Sequence, residues 1–313
     1  MTKTILGFSA ALLLASSIAL APLQAQGTDA FARIVEIANN YQLVPNITYL
    51  TANNWDAKLD IYRPRQLTSP SPTLVFFHLG GWTFGSKEVN TFALLPWLDM
   101  GWTVLNVEYR TVAVSLAPAA VEDARCALRW IYRNAKQYNF DLNKIVVTGQ
   151  SAGGTLALMA GMAPSSAGFE RICPGDRGPG AVSTEEMKVA AIINWSGITD
   201  VAELLEGPNM RSFAVAWLGT LPNRQELAKM VSPLTYVRPG LPPIMSIQGD
   251  DDPTVPYAHS VRLHQALDKA GVPYVHFTVP KGKHLGYTDD EMQRIYASIR
   301  SFLDKHDVKR TAK

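Results

Sequence analysis

Residues 144–163 read KIVVTGQSAGGTLALMAGMA, and no other stretch restricts the fold as much. A short apolar strand, KIVVTGQ, passes without a linker into the helix former SAGGTLALMAGMA. A strand with no polar face must be buried on both sides, which is the condition inside a parallel sheet covered by helices. The same rhythm recurs along the chain. Apolar runs at 73–79 (TLVFFHL), 102–110 (WTVLNVEYR), 189–197 (VAAIINWSG), 242–250 (PPIMSIQGD) and 274–280 (YVHFTVP) read as strands. ITYL and KLDIYRP, on either side of TANNWDA, read as a strand pair joined by a turn.

Helical periodicity marks 118–138, where Val121, Cys126, Leu128, Trp130 and Ile131 define the apolar side. It also marks 258–271, with Gly271 as C-cap, and 288–306, where Thr288 and Glu291 suit a capping box. Strands alternating with helices predict an α/β fold: a mostly parallel central sheet with helices on both faces. Residues 199–238 break the rhythm. They look helical and contain no strand, and are expected to form a small helical cap insertion within one domain spanning 30–307. Ligands of such folds bind at the carboxyl ends of the strands, so the residues that close each strand are where chemistry is to be sought.

The chain has 313 residues, 47% hydrophobic and 18% charged, which is ample for a large core. Its net charge is +2 and it has no run of Lys or Arg. A phosphate-binding surface needs clustered cations, so nucleic acid is not an expected partner. Residues 1–25 carry Lys3, an apolar run from Ile5 to Leu20, then small and polar residues. That is the pattern of a secretory signal peptide, with cleavage expected after Ala25. The apolar run is shorter than the roughly 20 residues of a spanning helix. The expectation is an exported protein, periplasmic or secreted, with no stable membrane association after cleavage; an uncleaved N-terminal anchor is the competing reading. Export permits disulfides. Cys126 and Cys173 are the two cysteines, and either pair or remain as two buried thiols.

Four strand ends stand out. The first is Gly149-Gln150-Ser151-Ala152-Gly153, a G-x-S-x-G between a strand and a helix. A serine there sits on a sharp turn with its hydroxyl above the sheet. Ser151 is therefore the candidate nucleophile, against the plainer reading of a helix-start loop. The second is HLGGW at 78–82. Acyl transfer needs backbone N–H groups aimed at a forming oxyanion, and Gly80, Gly81 and Ala152 are the candidate donors. Read alone, Gly80-Gly81 is an ordinary turn. His78 precedes the loop and is expected to hold it by a side-chain hydrogen bond.

The third is a base, because a serine hydroxyl needs an imidazole to take its proton. Of six histidines, His276 lies within a strand, His306 near the chain end, and His259 and His264 on a helix away from the strand tips. His284 lies in the loop just past the last strand and is the candidate. The fourth is IQGDDDPTVP at 247–256, three aspartates between Ser151 and His284. The imidazole needs a carboxylate to fix its tautomer, and the order Ser…Asp…His is that of the α/β-hydrolase fold. The same stretch also reads as D-x-D-x-T, a phosphatase nucleophile motif. That motif opens its own fold, however, and too little chain follows here to supply the remaining Lys and acidic motifs.

Taken in order, HLGGWTFGS, VEYR, PAAVEDARCALRW, VTGQSAGG, QGDDDPTVP and KGKHLGY resemble the α/β-hydrolase superfamily over residues 45–305. The likeness is greatest to the esterase/lipase group with an H-G-G-G-type oxyanion loop, which includes carbohydrate-esterase-like and feruloyl-esterase-like members. Leu79 departs from the usual glycine of that loop. The family's G-x-x-D-x-x-V-P pattern implies Asp252 as the acid, framed by Gly249, Val255 and Pro256. The resemblance implies a serine carboxylesterase acting on small acyl or aromatic-acyl esters, acetyl or feruloyl, on a small molecule or a carbohydrate. Neither a metal nor an organic cofactor is expected.

Of Trp82, Phe84, Trp195 and Trp217, Trp82 and Trp195 are expected to line the substrate site, because both follow strand ends; core packing is the alternative. Three rivals to the esterase reading remain. Kynurenine formamidases share an H-x-G-G-x-W loop, which makes an arylformamidase one alternative. Prolyl-type peptidases share the catalytic core, usually joined to a β-propeller. Non-catalytic binding proteins of this fold commonly lose the nucleophile, which this chain keeps.

Overall fold

A computed structural model describes residues 24–174 and 186–308. The strands are β1 (Tyr41–Ala52), β2 (Trp55–Pro64), β3 (Ser71–Phe77), β4 (Thr103–Val107), β5 (Phe140–Gln150), β6 (Ala191–Trp195), β7 (Ile244–Gly249) and β8 (Tyr274–Val279). The helices are α1 (Gln24–Asn40), α2 (Leu95–Asp99), α3 (Ala119–Tyr138), α4 (Ala152–Met162), α5 (Ser212–Leu218), α6 (Arg224–Met230), α7 (Ala258–Lys269) and α8 (Asp289–Lys305). The strands form one sheet in the order β1-β2-β4-β3-β5-β6-β7-β8. β1 and β2 form an antiparallel hairpin and β2 meets β4 antiparallel; from β4 to β8 all pairings are parallel.

Side-chain alternation divides the core. Along β3, Val75 and Phe77 face the layer that contains α3, α4 and α7, while Leu74 and Phe76 face the layer that contains α1, α2 and α8. Period-two alternation delivers apolar side chains to both layers at once, which is why these strands carry no polar face. The capping box at Thr288 is formed: its side chain accepts the Glu291 N–H, and Glu291 accepts the Thr288 N–H at 2.7 Å. The capped donors would otherwise be left unpaired in the first turn.

The order β4-β3-β5 contains the topological switch. The chain steps outward from β3 to β4, then returns to place β5 on the other side of β3. At that point the loops leaving β3 and β5 diverge and open a crevice. Both HLGGW and GQSAGG leave the sheet there. Between β6 and β7, residues 199–238 form α5, α6 and three 3₁₀ turns, with no strand. α1 and α2 were not anticipated from sequence. Cys126 and Cys173 are disulfide-bonded, tying α3 to the segment that follows α4. The signal-peptide reading rests on residues 1–25, of which 1–23 lie outside the described residues.

Candidate active site

Ser151 joins β5 to α4 with φ 56° and ψ −120°. A non-glycine residue holds such a conformation only where its surroundings enforce it. Its amide donates to the Trp195 carbonyl at 2.8 Å, and its carbonyl accepts the Thr155 N–H at 3.1 Å. The glycines on either side are sterically required. A Cβ at Gly153 would lie 2.1 Å from the Phe77 carbonyl oxygen, and one at Gly149 would lie 2.3 Å from that of Gly153. The turn therefore presses against the end of β3.

The β3 loop is equally tight. Gly80, Gly81 and Trp82 have φ of 137°, 58° and 60°, and a Cβ at Gly80 would meet the Phe84 carbonyl oxygen at 1.9 Å. The Gly80 carbonyl accepts N–H groups from Thr83 and Phe84. Among the described residues, the amides of Gly80, Gly81 and Ala152 donate to no partner. That leaves three donors at one crevice, one of them at a helix N-terminus, where backbone N–H groups are free and negative charge is favoured. His78 holds the loop from below. Its ring stacks on Tyr109 at 4.1 Å and its Nδ1 bonds the Leu79 carbonyl at 2.7 Å. Burial lowers the His78 pKa to about 4, so its ring is neutral. Behind the loop, buried Lys87 pairs with Asp60 at 2.9 Å, and its carbonyl accepts from Asn106.

On the other side of the crevice, His284 Nδ1 lies 2.8 Å from Asp252 Oδ2. Asp252 Oδ1 accepts the N–H groups of Thr254 (2.8 Å) and Val255 (3.0 Å). Gln248 Nε2 donates to Oδ2 at 3.1 Å. Burial alone would raise the Asp252 pKa. The hydrogen bond and charge of His284, together with the two backbone donors, outweigh it and hold the carboxyl below its usual range. Ser196, the residue after the carbonyl that receives the Ser151 amide, donates its hydroxyl to the His284 carbonyl at 3.0 Å. The structure thus closes the His–Asp contact and fixes the His284 backbone next to the serine turn. Among the described residues Ser151 Oγ makes no hydrogen bond to His284; such bonds often tighten only when substrate binds.

Two sequence expectations need correction. Trp82 is fully buried and stacks on Trp217 at 3.9 Å. Trp195 is 4% exposed and packs in the opposite layer beside Tyr296. Neither presents a face to a ligand. A position at a strand end does not set side-chain direction: strand parity turns Trp195 toward α8, and Trp82 packs between Trp217 and Phe213. Phe84, by contrast, is 64% exposed beside Gly80. Sequence reasoning also passed over Gln248 and Ser196. The only sign of Gln248 was a polar side chain inside an apolar strand.

Residues 59–267 match the model of the BD-FAE family. Esterase LipQ of Mycobacterium tuberculosis is 28% identical over 236 residues, 72% of this chain and 53% of that protein. The chain spans about half the length of such curated relatives. Among solved structures, a truncated carbohydrate esterase from gut microbiota is 26% identical with a TM-score of 0.70, covering 86% of this chain and 98% of its own. A propionate-bound thermophilic esterase from Thermogutta terrifontis is 25% identical, also with a TM-score of 0.70, over 88% and 97%. With this sheet order and these helix layers, the fold is that of the α/β-hydrolases.

Proposed function

The chain belongs to the BD-FAE family, and on that premise we propose that it is a serine carboxylesterase. The observation that carries the reading is the Ser151 turn, with φ 56° and ψ −120°, at the crevice where the Gly80, Gly81 and Ala152 amides have no partner among the described residues. Ser151 attacks the ester carbonyl while His284 takes its proton. The three amides receive the developing oxyanion, where preorganised donors contribute most. His284 then protonates the leaving alcohol. Water, activated by the same imidazole, hydrolyses the acyl-enzyme. Asp252 keeps the His284 proton on Nδ1 and stabilises the imidazolium.

Substrates are small acyl or aromatic-acyl esters, acetyl or feruloyl, on a small molecule or a carbohydrate. Two findings support this class: the exposed ring of Phe84 beside the loop, and the likeness to a carbohydrate esterase and a propionate-bound esterase. The protein acts outside the cytoplasm, a reading that the residue 1–25 pattern and the Cys126–Cys173 bond support.

The test is p-nitrophenyl acetate hydrolysis and fluorophosphonate labelling of the wild type and Ser151→Ala. The variant should lose roughly 10⁴-fold in kcat and all labelling. Near-wild-type turnover would overturn the assignment. Acyl chain lengths, acetylated xylan and methyl ferulate then rank the esters. Faster cleavage of arylformamides or prolyl amides would move the protein to another hydrolase class. N-terminal sequencing of the mature protein tests removal of residues 1–25.

A further inference from the structure

We propose that Arg211 is a positioning residue that holds Asp252 in register for His284, acting through the backbone of the acid loop. The proposal rests on the triad reading above. Arg211 precedes α5, in the segment between β6 and β7. Its Nε donates to the Thr254 carbonyl at 2.8 Å, and its Nη2 reaches the Pro253 carbonyl at 3.3 Å. These two carbonyls belong to two particular peptide units. The Pro253–Thr254 unit presents its N–H, that of Thr254, to Asp252 Oδ1 at 2.8 Å. The Thr254–Val255 unit presents the Val255 N–H to the same oxygen at 3.0 Å. One guanidinium therefore grips the far ends of both peptide planes whose near ends hold the carboxylate.

Two consequences follow. The first is geometric. With Oδ1 held by two fixed N–H groups, Oδ2 is left facing His284 Nδ1 at 2.8 Å. The second is electrostatic. A cation on each carbonyl polarises its peptide unit and strengthens the N–H at the other end, as in any hydrogen-bonded chain. Lysine has no planar fork and cannot engage both carbonyls in this way.

Arg211 is itself firmly placed. Its amide donates to the Leu204 carbonyl at 2.9 Å, and its carbonyl accepts the Ala214 N–H at 3.0 Å. The helix it begins reaches the other half of the site: Phe213 is the side chain that a Cβ at Gly81 would meet at 2.9 Å, and Trp217 stacks on Trp82. The same segment thus braces the oxyanion-side loop through ring contacts and the acid loop through Arg211.

The experiment compares Arg211→Ala, Arg211→Lys and Asp252→Asn with wild type. Steady-state kinetics are measured on p-nitrophenyl acetate, and proton NMR follows the downfield His284 Nδ1–H signal. Arg211→Ala should lower kcat by about tenfold to a hundredfold, the cost of small misplacements near the chemistry, with KM changed far less. The downfield signal should move upfield or vanish. Arg211→Lys should fall between the two, and added guanidinium should restore part of the alanine variant's kcat. If the alanine variant does not fold, Arg211→Gln, which retains one donor group, takes its place. A kcat within about twofold of wild type with the signal intact would overturn the proposal. So would a rise in KM alone, which would make Arg211 a substrate contact. If these occur while Asp252→Asn is crippled, only the role of Arg211 is lost. Wild-type turnover in Asp252→Asn would remove the triad reading and the role of Arg211 together.

Discussion

Asp252 lies 2.8 Å from His284 with its side chain wholly buried, whereas the side chain of its neighbour Asp251 is 64% exposed and pairs with Lys283. One residue of register separates a carboxylate bonded to an imidazole from one on the surface. Asp252→Asn should therefore lower kcat/KM by roughly 10³- to 10⁴-fold. Asp251→Asn should stay within about twofold, since exposed pairs contribute little. Asp250 accepts the Lys281 N–H at 2.5 Å and so braces the chain leading to His284; Asp250→Asn should cost less than about tenfold, the loss of one charge-assisted bond. Hydrolysis of p-nitrophenyl acetate by the three variants checks the order. A crippled Asp251 variant beside a tolerant Asp252 variant would shift the acid by one position.

The same trio shows what a sequence can reveal. The placement of Ser151 and His284 was legible because each follows a strand end, and strand ends follow from apolar runs in chain order. Asp252 was legible only against a family pattern, since three adjacent carboxylates look alike until the fold turns one inward. Arg211, Ser196 and Gln248 were not legible. Their partners lie 43, 88 and 4 residues away respectively, and no local signal encodes the first two contacts. Trp82 and Trp195 were misread because side-chain direction depends on φ and strand parity, which adjacency to a strand end does not report.

Buried neutral histidines should make stability fall in acid. His78 and His264 are both lowered to about 4, mainly by burial. In each, the ring is buried and Nδ1 bonds a backbone carbonyl. A folded-state pKa below the unfolded value of about 6.5 means that the unfolded chain binds the proton first. Stability is thus full above about pH 6.5 and declines toward pH 4, by up to about 3 kcal/mol for each histidine. His264→Phe, which keeps a ring against His276, should flatten this slope in urea unfolding at pH 7 and pH 4.5. Parallel slopes for the variant and wild type would contradict the account.

The serine turn makes a separate steric prediction. A Cβ at Gly153 would meet backbone oxygens of Phe77 and His78 at 2.1 and 2.5 Å, and backbone cannot swing aside as a side chain can. Gly240 has φ +79° but open space around it. Gly153→Ala should therefore cost more than about 3 kcal/mol and abolish fluorophosphonate labelling, while Gly240→Ala should cost only about 1 kcal/mol of backbone strain. Urea unfolding and labelling rates separate the two. Normal labelling of Gly153→Ala would mean that the turn and β3 are not in contact.

The Cys126–Cys173 bond closes a sequence separation of 47 residues. In the chain-entropy account a loop of that size stabilises by about 4 kcal/mol. The segment it secures has a second anchor, because Glu170 is buried between Arg125 and Arg129; Arg125 Nε lies 3.1 Å and Arg129 Nη2 2.5 Å from its carboxylate oxygens. Replacing both cysteines with serine should therefore lower the unfolding temperature and leave p-nitrophenyl acetate hydrolysis at 25 °C unchanged, because neither anchor touches the crevice. Glu170→Gln removes the negative charge that faces both buried guanidinium groups and should cost about 3–5 kcal/mol. Because disulfide and ion cluster restrain one segment, the two losses should not add. With the disulfide gone, Glu170→Gln should release the segment altogether and become detectable as a new protease-sensitive site. Simple additivity in urea unfolding, with no new cleavage, would show that the two anchors act independently.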